Sequence, residues 1–234
     1  MVNMNDPLLD VDPDENYLNG LFDSLSTGRD SEYYSVDRLN NQPDGESSRL
    51  MIICFNIRSF NANIEAFLAL LSTVHRQPDI IILTETWISD CDAEFCNIEG
   101  YDSYHTIGGR GRGVSVFCRD ALVADILPEC CFASDNINVC TVRISYMSDK
   151  YVILGIYRPH IGTPSDFILA LEPLLHSFSN TSVVLTGDFN INILNSQCVD
   201  TEMLVTFMQS LHFLPLITKP TRFPPPPNQR GISP

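Results

Sequence analysis

The chain has 234 residues, of which 44% are hydrophobic, so it can form one sizeable domain with a buried core plus a tail. Its 29 acidic residues against 14 Lys and Arg give a formal net charge of −15 at pH 7. Tight, non-specific binding of nucleic acid needs Lys and Arg for the phosphates. The composition therefore argues against strong, salt-resistant DNA binding by this chain alone.

The acidic charge is concentrated at the start of the chain. Residues 1–49 contain eleven acidic residues against three Arg and have few large apolar clusters. Such a segment cannot bury enough apolar surface to offset the entropy that is lost on ordering. We therefore predict an acidic disordered tail over residues 1–48, a domain over residues 49–222 and a proline-rich end over residues 223–234.

The cysteines and the N-terminus bear on cellular location. The eight cysteines contain no Cys-x-x-Cys pair, so we expect reduced thiols rather than disulfides and no structural zinc site. The N-terminus has neither a basic start nor a long apolar stretch, and no run approaches about 18 apolar residues. The sequence therefore predicts no signal peptide and no membrane partner, and a location in the nucleus or cytoplasm.

After residue 49 the chain alternates short apolar runs with helical patterns. Residues 50–55 and 80–83 are apolar runs that predict buried strands. Between them, apolar residues recur three and four apart from Ile64 to Val74, which predicts a helix with one apolar face. The domain therefore begins as strand, helix, strand.

The rest of the domain mixes hairpins with helices. Alternating or apolar patterns predict four further strands, at residues 113–118, 137–144, 151–157 and 182–186. Residues 148–150 predict a hairpin turn, and Thr163–Asp166 predicts the cap of a helix that extends to Phe178. A last helix is predicted at about residues 200–211. This order predicts an α/β or α+β domain in which sheets pack face to face with helices outside.

Polar residues directly follow four of the predicted strands. They are Asn56, Glu85, Tyr157 with Arg158, and Asp188 with Asn190. Carboxylates and amides at one edge of a sheet form an acidic site suited to a hard cation such as Mg²⁺. Hydrolysis of a phosphodiester uses one carboxylate to hold the metal and another to activate water, and a phenol can hydrogen-bond the phosphate. The pattern therefore indicates a candidate site for phosphodiester hydrolysis.

Each of these residues also has an ordinary structural explanation. An Asn after a strand is more often a turn residue, and Gly187–Asn190 fits a tight turn in which Asp and Asn bond the backbone. Tyr157–Pro159 fits the end of a strand that packs against a neighbour. The functional interpretation gains weight because all four positions fall at the same topological place.

Four short segments, in order along the chain, carry a family likeness. They are Asn56-Ile57-Arg58-Ser59, Leu83-Thr84-Glu85-Thr86-Trp87, Ile156-Tyr157-Arg158-Pro159 and Gly187-Asp188-Phe189-Asn190. Together they resemble the active-site motifs of the endonuclease/exonuclease/phosphatase superfamily, and in detail the apurinic-type endonuclease domain of non-LTR (LINE-like) retrotransposons. Gly109–Ser115 and Lys219–Arg222 also resemble that family's glycine-rich and Pro-Thr-Arg stretches.

The resemblance implies a fold, a reaction and a role for each residue. The fold would be a four-layered sandwich of two packed mixed β-sheets flanked by helices, and the reaction Mg²⁺- or Mn²⁺-dependent cleavage of DNA. Glu85 would be the main metal ligand, with Asn56 beside it ordering the metal and the phosphate. Asp188 would orient or deprotonate the attacking water, Asn190 would fix that geometry, and Tyr157 would contact the scissile phosphate. Nicking would expose a 3′ hydroxyl on the DNA target for a reverse transcriptase, which we expect to be encoded separately.

One part of the family pattern is missing. In the resembled family an apolar strand carrying an Asp and then a Ser-Asp-His motif follow the Pro-Thr-Arg stretch, and neither occurs after Arg222. The absent Asp-His pair would contact the phosphate and support the metal site, and losing one preorganised group of this type costs on the order of a hundredfold in rate. We therefore expect the last strands of the fold to be missing and the activity of the chain to be impaired.

Three functions stay open on the sequence alone. The first is a metal-dependent DNA endonuclease, which the ordered motifs favour. The second is a catalytically dead, nuclease-derived remnant or binding module, which the missing terminal motif favours. The third is a phosphatase or phospholipase of the same superfamily, which is less favoured because the Thr-Glu-Thr-Trp and Tyr-Arg-Pro segments resemble the retrotransposon branch.

Overall fold

The structure is a computed structural model that describes residues 31–41, 49–195 and 197–221. Most of the predicted acidic tail and all of the predicted proline-rich end at 223–234 lie outside these residues. Within the described part of the chain, no helix is both long and apolar enough to cross a lipid bilayer.

The chain divides into two compact units. Residues 34–210 form the larger unit, and the described residues 31–33 and 211–221 belong to the smaller one. In the smaller unit, Ser31 pairs twice with Thr218: its N–H donates to Thr218 Oγ1 at 3.0 Å, and its Oγ accepts from the Thr218 N–H at 2.6 Å. Reciprocal bonds between the two ends of the chain therefore stabilise the described part of this unit.

The described residues form four α-helices: α1 (Val36–Asn40), α2 (Phe60–Leu71), α3 (Pro164–His176) and α4 (Val199–Ser210). Helix α1 lies in the segment whose composition predicted disorder. The Ser35 hydroxyl caps it by accepting from the Arg38 N–H at 3.2 Å. The Asn40 side chain donates to Thr73 O and accepts from the His75 N–H, both at 2.8 Å. An amino-acid composition that is averaged over the whole tail cannot reveal a helix of only five residues.

The first β-sheet contains strands from the first half of the domain. They are β1 (Ile52–Asn56), β2 (Ile80–Thr84), β3 (Tyr101–Thr106) and β4 (Val114–Arg119). Their order across the sheet is β1–β2–β4–β3, with β1 parallel to β2 and the other neighbours antiparallel. Helix α2 makes the crossover between the two parallel strands, as that connection requires.

The second β-sheet contains strands from the second half. They are β5 (Val123–Ile126), β6 (Phe132–Ala133), β7 (Asn138–Tyr146), β8 (Asp149–Tyr157) and β9 (Ser182–Asp188). Their order is β5–β7–β8–β9, with β6 paired to β7. Strands β7 and β8 form the predicted antiparallel hairpin, whereas β8 and β9 run parallel with α3 between them. The predicted fold class, two mixed β-sheets with flanking helices, is confirmed.

The two sheets pack face to face through the apolar side chains between them. The fully buried members of this layer include Ile80, Ile82, Val114, Val116, Cys140, Val142, Ile144 and Ile153. Gly155 of β8 lies in the same layer, where a Cβ would lie 3.0 Å from Val114 Cγ1 and 3.1 Å from Ile82 Cγ2 and Val116 Cγ2. A larger side chain at this position would therefore force the sheets apart.

The helices cover the outer faces of the sheets. Phe67 and Leu71 of α2 share a buried cluster with Leu83 of β2. Helix α3 connects two parallel neighbours, a crossover that places the helix on a face of the sheet. Its side chains Phe167 and Leu171 are fully buried. Helices α2 and α3 therefore both contribute apolar side chains to the buried core.

A buried carboxylate ties the start of β2 to two arginines. Asp79 is 2% exposed, and its Oδ2 accepts from the Met51 N–H at 2.8 Å. Arg76 contacts the same oxygen at 3.2 Å, and Arg119 contacts Oδ1. The charge is therefore buried but paired on both oxygens.

Asp79→Ala is expected to lower the free energy of unfolding by about 2–4 kcal/mol, somewhat less than for a fully buried pair because both arginines are partly exposed. The substitution leaves the Met51 N–H without its acceptor and two guanidinium groups without their counter-charge. Urea unfolding followed by circular dichroism measures the change. Asp102→Ala, at an exposed position of β3, is the control and is expected to change stability by less than about 0.5 kcal/mol. Equal effects of the two substitutions would contradict the structural role of Asp79.

Candidate active site

The two parallel strand pairs bring four strand ends to one place. In the first sheet Asn56 lies opposite Thr84, and in the second sheet Tyr157 lies opposite Asp188. The carboxyl ends of parallel strands lie at the same edge of a sheet, so Glu85, which follows β2, emerges beside Asn56. Because the sheets pack face to face, the two edges meet. Each sheet therefore contributes one side of a common polar site.

The Asn56 side chain joins the two sides of this site. Its Nδ2 donates to Glu85 Oε1 at 2.8 Å and to Asp188 Oδ2 at 2.9 Å. Two carboxylate oxygens thus lie within two hydrogen-bond lengths of each other, although their charges repel. Asn56 Oδ1 is buried and has no hydrogen-bond partner among the described residues. One amide therefore holds two carboxylates and presents an unpaired acceptor.

The Tyr157 phenol extends the network from the second sheet. Its side chain is 3% exposed, and its hydroxyl lies near the Glu85 carboxylate. Burial raises the pKa of Tyr157 to about 12, and the negative charges of Glu85 and Asp188 act in the same direction, while Arg112 opposes them. Tyr157 is therefore a protonated hydrogen-bond donor at neutral pH.

Asp188 and Asn190 form a turn that Arg158 holds in place. The Asn190 N–H donates to Asp188 Oδ1 at 3.1 Å, and Asn190 Nδ2 donates to Arg158 O at 2.7 Å. The Arg158 N–H in turn donates to Asp188 O at 2.9 Å. Asn190 has a φ of 49°, in the left-handed region that Asn tolerates better than most residues. Together with Asn56, this turn gives each oxygen of the Asp188 carboxylate a donor.

Backbone hydrogen bonds fix the loop that carries Glu85. The Ser59 N–H donates to Glu85 O and the Phe60 N–H to Thr86 O, both at 2.8 Å. Glu85 and Ser59 have φ values of 53° and 93°, which residues other than glycine rarely adopt. Strain of this kind persists only where the surroundings enforce it, and it is concentrated at functional sites.

The structure brings all five residues of the sequence-predicted site together. Hydrogen bonds join Asn56, Glu85, Asp188 and Asn190, and Tyr157 lies beside Glu85. Their mutual contacts are a property of the fold, whereas their catalytic roles stay a prediction.

The amino-acid sequence also matches a known family over most of the domain. The model of the Endonuclease/Exonuclease/phosphatase family matches residues 53–231, which is more than half of the chain. The chain belongs to the endonuclease/exonuclease/phosphatase family. The resemblance of the four motifs to this superfamily is thereby confirmed.

Three solved structures illustrate how far this similarity extends. The AP endonuclease LMAP from Leishmania major has a TM-score of 0.57 and 16% identity, with 82% of this chain and 77% of that chain covered. The endonuclease domain of TRAS1, a telomere-specific non-LTR retrotransposon, has a TM-score of 0.49 and 14% identity, covering 68% and 71%. The 3′ phosphatase NExo from Neisseria, bound to a product DNA hairpin, has a TM-score of 0.47 and 15% identity, covering 69% and 71%. The first of these supports the shared fold of two sheets with flanking helices.

In this endonuclease/exonuclease/phosphatase domain, a glycine-rich loop lies against the loop that follows β2. The Trp87 N–H donates to Arg112 O at 2.9 Å, and the Gly113 N–H donates to Asn138 Oδ1 at 2.8 Å. Gly113 has a φ of 95°, and a Cβ there would lie 2.7 Å from Thr86 Oγ1. The close approach of the two loops therefore requires glycine at this position.

The Arg112 side chain lies beside the site, although sequence reasoning did not single it out. Its Nη1 contacts Asp135 Oδ1 at 2.7 Å, and it is 26% exposed. Its positive charge acts to lower the pKa of Tyr157. The only signal for it in the sequence is Gly-Arg-Gly-Arg-Gly, which marks a flexible basic loop but not its neighbours. Asn138, which positions this loop, has no signal beyond its place in a strand.

The donor set of the site suits a hard divalent cation. Glu85 and Asp188 offer carboxylate oxygens and Asn56 an amide oxygen, the ligands that Mg²⁺ and Mn²⁺ prefer. Asn56 Oδ1 is the buried, unpaired acceptor that such a cation would satisfy. Across the described ranges, no group of three or more His, Cys, Asp and Glu side chains could hold an ion by itself. The Asn56 oxygen is therefore needed to complete the set.

Proposed function

We propose that this domain is a metal-dependent endonuclease that cleaves phosphodiester bonds of DNA, of the kind encoded by non-LTR retrotransposons. The observation that carries the proposal is the Asn56 amide, which holds the Glu85 and Asp188 carboxylates together across two sheets. The residues that make up the four motifs favour an endonuclease of the retrotransposon type. The most telling are Thr84-Glu85-Thr86-Trp87 and Tyr157-Arg158-Pro159.

Glu85 and the Asn56 amide oxygen are the groups that would hold Mg²⁺ or Mn²⁺. When bound, such an ion supplies Lewis-acid stabilisation of the charge that builds on the phosphate. The repulsion between the two carboxylates around Asn56 Nδ2 favours a cation at this place, because a positive charge relieves it.

Asp188 would orient the attacking water and take its proton. Its oxygens are held by the Asn190 N–H and by Asn56 Nδ2, so the carboxylate cannot turn freely. The water oxygen bonds to phosphorus while the bond from phosphorus to the 3′ oxygen breaks. The 3′ oxygen takes a proton from solvent and leaves as a hydroxyl, which a separately encoded reverse transcriptase would extend.

Tyr157 would stabilise the phosphate as its negative charge increases. The phenol is a protonated donor that lies near the Glu85 carboxylate. A phosphate oxygen beside Glu85 would accept a hydrogen bond from it. A donor that is already positioned for that oxygen acts without reorganisation during the reaction.

Arg112 offers a positive charge near Tyr157, although its guanidinium also contacts Asp135 Oδ1. Arg112→Ala is expected to raise KM for DNA about tenfold while kcat changes less than about threefold, because a phosphate contact outside the reacting centre binds substrate and transition state alike. Initial nicking rates over a range of DNA concentrations separate the two constants. Arg143→Ala, at an exposed position of β7, controls for the loss of one positive charge. A fall in kcat with unchanged KM would contradict this role of Arg112.

The test of the proposed function is nicking of supercoiled plasmid DNA by the full chain. Open-circular product is expected with Mg²⁺ or Mn²⁺ and none after EDTA, because the oxygen donor set needs a hard cation to act on phosphate. Glu85→Ala, purified in parallel, excludes a contaminating nuclease if it abolishes nicking. Nicking that persists in EDTA, or that Glu85→Ala retains, would contradict the proposal.

A domain that binds DNA or metal without cutting is the second candidate. Folded protein that binds a labelled DNA duplex but never nicks it would establish this function instead. Turnover of a phosphoinositide in place of plasmid DNA would point to the phosphatase branch of the family.

A further inference from the structure

Two cysteines face each other across the short pairing of β6 with β7. Phe132 lies opposite Val139 in this antiparallel pair. The backbone of Cys131 is extended, with φ −114° and ψ 114°. Continued by one residue, this register would set Cys131 opposite Cys140, and the Cys131 sulfur does contact the backbone of the next residue of β7, Thr141.

The two cysteines form the closer of the two kinds of antiparallel pair. The Ser134 N–H donates to Ile137 O at 2.8 Å, so these two residues form a backbone-bonded pair. Bonded and non-bonded pairs alternate along antiparallel strands. Cys131 and Cys140 are three pairs away from Ser134 and Ile137 in this register, so they form a non-bonded pair. The Cα atoms of such pairs lie about 4.5 Å apart, within the range of about 4.4–6.8 Å that disulfides span.

The two thiols differ in exposure and in hydrogen bonding. Cys131 is half-buried, and its sulfur accepts from the Thr141 N–H at 3.1 Å. Cys140 is fully buried, with its sulfur 3.5 Å from Tyr104 O. The Cys140 thiol lowers the pKa of Cys131 to about 7, with help from the Thr141 N–H and against burial. The same hydrogen bond, followed by burial, raises the pKa of Cys140 well above its usual value. The more accessible thiol of the two is thus the one whose pKa is lowered.

We propose that Cys131 and Cys140 form a peroxide-sensitive dithiol site, in which Cys131 reacts first and Cys140 closes a disulfide. The Cys131 thiolate attacks one oxygen of hydrogen peroxide, the O–O bond breaks and hydroxide leaves, so that a sulfenic acid forms. The Cys140 sulfur then attacks the Cys131 sulfur, the S–O bond breaks, and the hydroxide leaves as water with the proton of Cys140. Two thiols are oxidised to one disulfide, and one peroxide is reduced to two waters. This site is independent of the proposed nuclease activity.

The test is peptide mapping of the full chain after brief exposure to hydrogen peroxide. Cys131 is expected to react about fivefold faster than the exposed Cys91, because a larger thiolate fraction outweighs lower nucleophilicity and partial burial. A protease that cleaves before Asp135 separates the two cysteines, so a disulfide joins two peptides that otherwise come apart. Unreacted thiols are blocked before digestion, so the link cannot form during handling.

Three variants test which sulfur reacts first with peroxide and which one closes the disulfide. Cys131→Ser is expected to abolish the link and to leave Cys140 unmodified, because a buried thiol does not meet the oxidant first. In Cys140→Ala the sulfenic acid on Cys131 is expected to persist and to be trapped by dimedone. Cys130→Ser is expected to leave the link intact. The proposal is overturned if Cys131 reacts no faster than Cys91, or if its partner in the disulfide is Cys130.

Discussion

Asp188→Asn is expected to lower the rate of Mg²⁺-dependent plasmid nicking by about a thousandfold, because an amide does not take a proton from water. The substitution also disturbs the site itself. The carboxylate accepts from the Asn190 N–H at 3.1 Å and from Asn56 Nδ2 at 2.9 Å. The amide has a single oxygen, so one of these two donors loses its acceptor. Initial rates of open-circle formation on supercoiled plasmid measure the loss.

Asp125→Asn is the matched control for the charge removed at Asp188. It makes the same chemical change at an exposed position of β5, which β7 and β8 separate from β9. Its nicking rate is expected to stay within about twofold of the original, as for most surface substitutions. If Asp188→Asn keeps more than about a tenth of the activity, Asp188 is not the general base, which contributes about 10²–10⁴-fold in enzymes.

Glu85→Gln distinguishes the metal-holding role from the water-handling role. Glutamine keeps the length of the side chain and an oxygen that can accept from Asn56 Nδ2. It removes the negative charge that attracts a divalent cation, so the Mg²⁺ concentration at half-maximal rate is expected to rise at least about tenfold. Asp188→Asn, by contrast, is expected to remain slow at saturating Mg²⁺. Identical metal dependence of the two variants would contradict the separate roles.

The location of the site could be predicted because three apolar strands are plain in the sequence. Only β2 is buried along its whole length; no residue of β1 or β9 is fully buried, so the prediction of burial was wrong for these two strands. The apolar runs at residues 50–55, 80–83 and 182–186 correspond to β1, β2 and β9, and a polar residue follows each. Their chemistry and their place at a strand end are both local properties. The contact between Asn56 and Asp188 is not local, because it joins strands of two different sheets. Only the resemblance to a family, and then the structure, could supply it.

Helix ends were predictable where a side chain decides them. The predicted cap of α3 is present as a capping box, in which Thr163 accepts from the Asp166 N–H and Asp166 accepts from the Thr163 N–H. The predicted end at Phe178 was two residues too late, since α3 ends at His176. Phe178 is nevertheless buried, so its apolar character reflects packing after the helix rather than helical periodicity.

The strands that were not predicted from the sequence have few apolar side chains that could be buried. Strand β3, Tyr101–Thr106, is mostly half-exposed and lies at the edge of its sheet, so its polar residues show no clear alternation. Strands β5 and β6 span four and two residues, too few for a periodic pattern. These strands are defined by their neighbours, and that information is absent from a local reading of the sequence.

The supporting roles around the site could not be predicted, because they are played by backbone groups or across loops. Arg158 stands out in the sequence beside Tyr157, but it positions the Asp188 turn mainly with its own N–H and C=O groups, which its side chain does not indicate. Asn138 holds the glycine-rich loop from a distant strand by accepting from the Gly113 N–H. Arg112 acquires its place beside Tyr157 only because that loop is held there. Side-chain motifs identify the reacting groups, whereas the groups that support them follow from the assembled fold.

Gly187→Ala is expected to lower the free energy of unfolding by about 4 kcal/mol or more and to abolish nicking, an effect at the extreme of single substitutions. Gly187 precedes Asp188 in β9 and has a φ of 153°. A Cβ at this position would lie 1.7 Å from the carbonyl oxygen of Ile156 in β8. Because the obstructing atom belongs to the backbone of a paired strand, no rotamer change can relieve the clash. Urea unfolding and amide hydrogen exchange of Tyr157 and Arg158 measure the two consequences.

Gly100→Ala separates this clash from the ordinary cost of replacing a glycine. Gly100 also has a positive φ, 82°, but a Cβ there would meet no atom within 4 Å. Its substitution is expected to cost about 1–2 kcal/mol from backbone strain alone and to leave nicking unchanged. If Gly187→Ala costs no more than this, the strand ends can separate without losing the site. A larger cost, together with a loss of amide protection at Arg158, would show that the β8–β9 pairing places Asp188 beside Asn56. The pair of carboxylates would then depend on a position that only glycine can occupy.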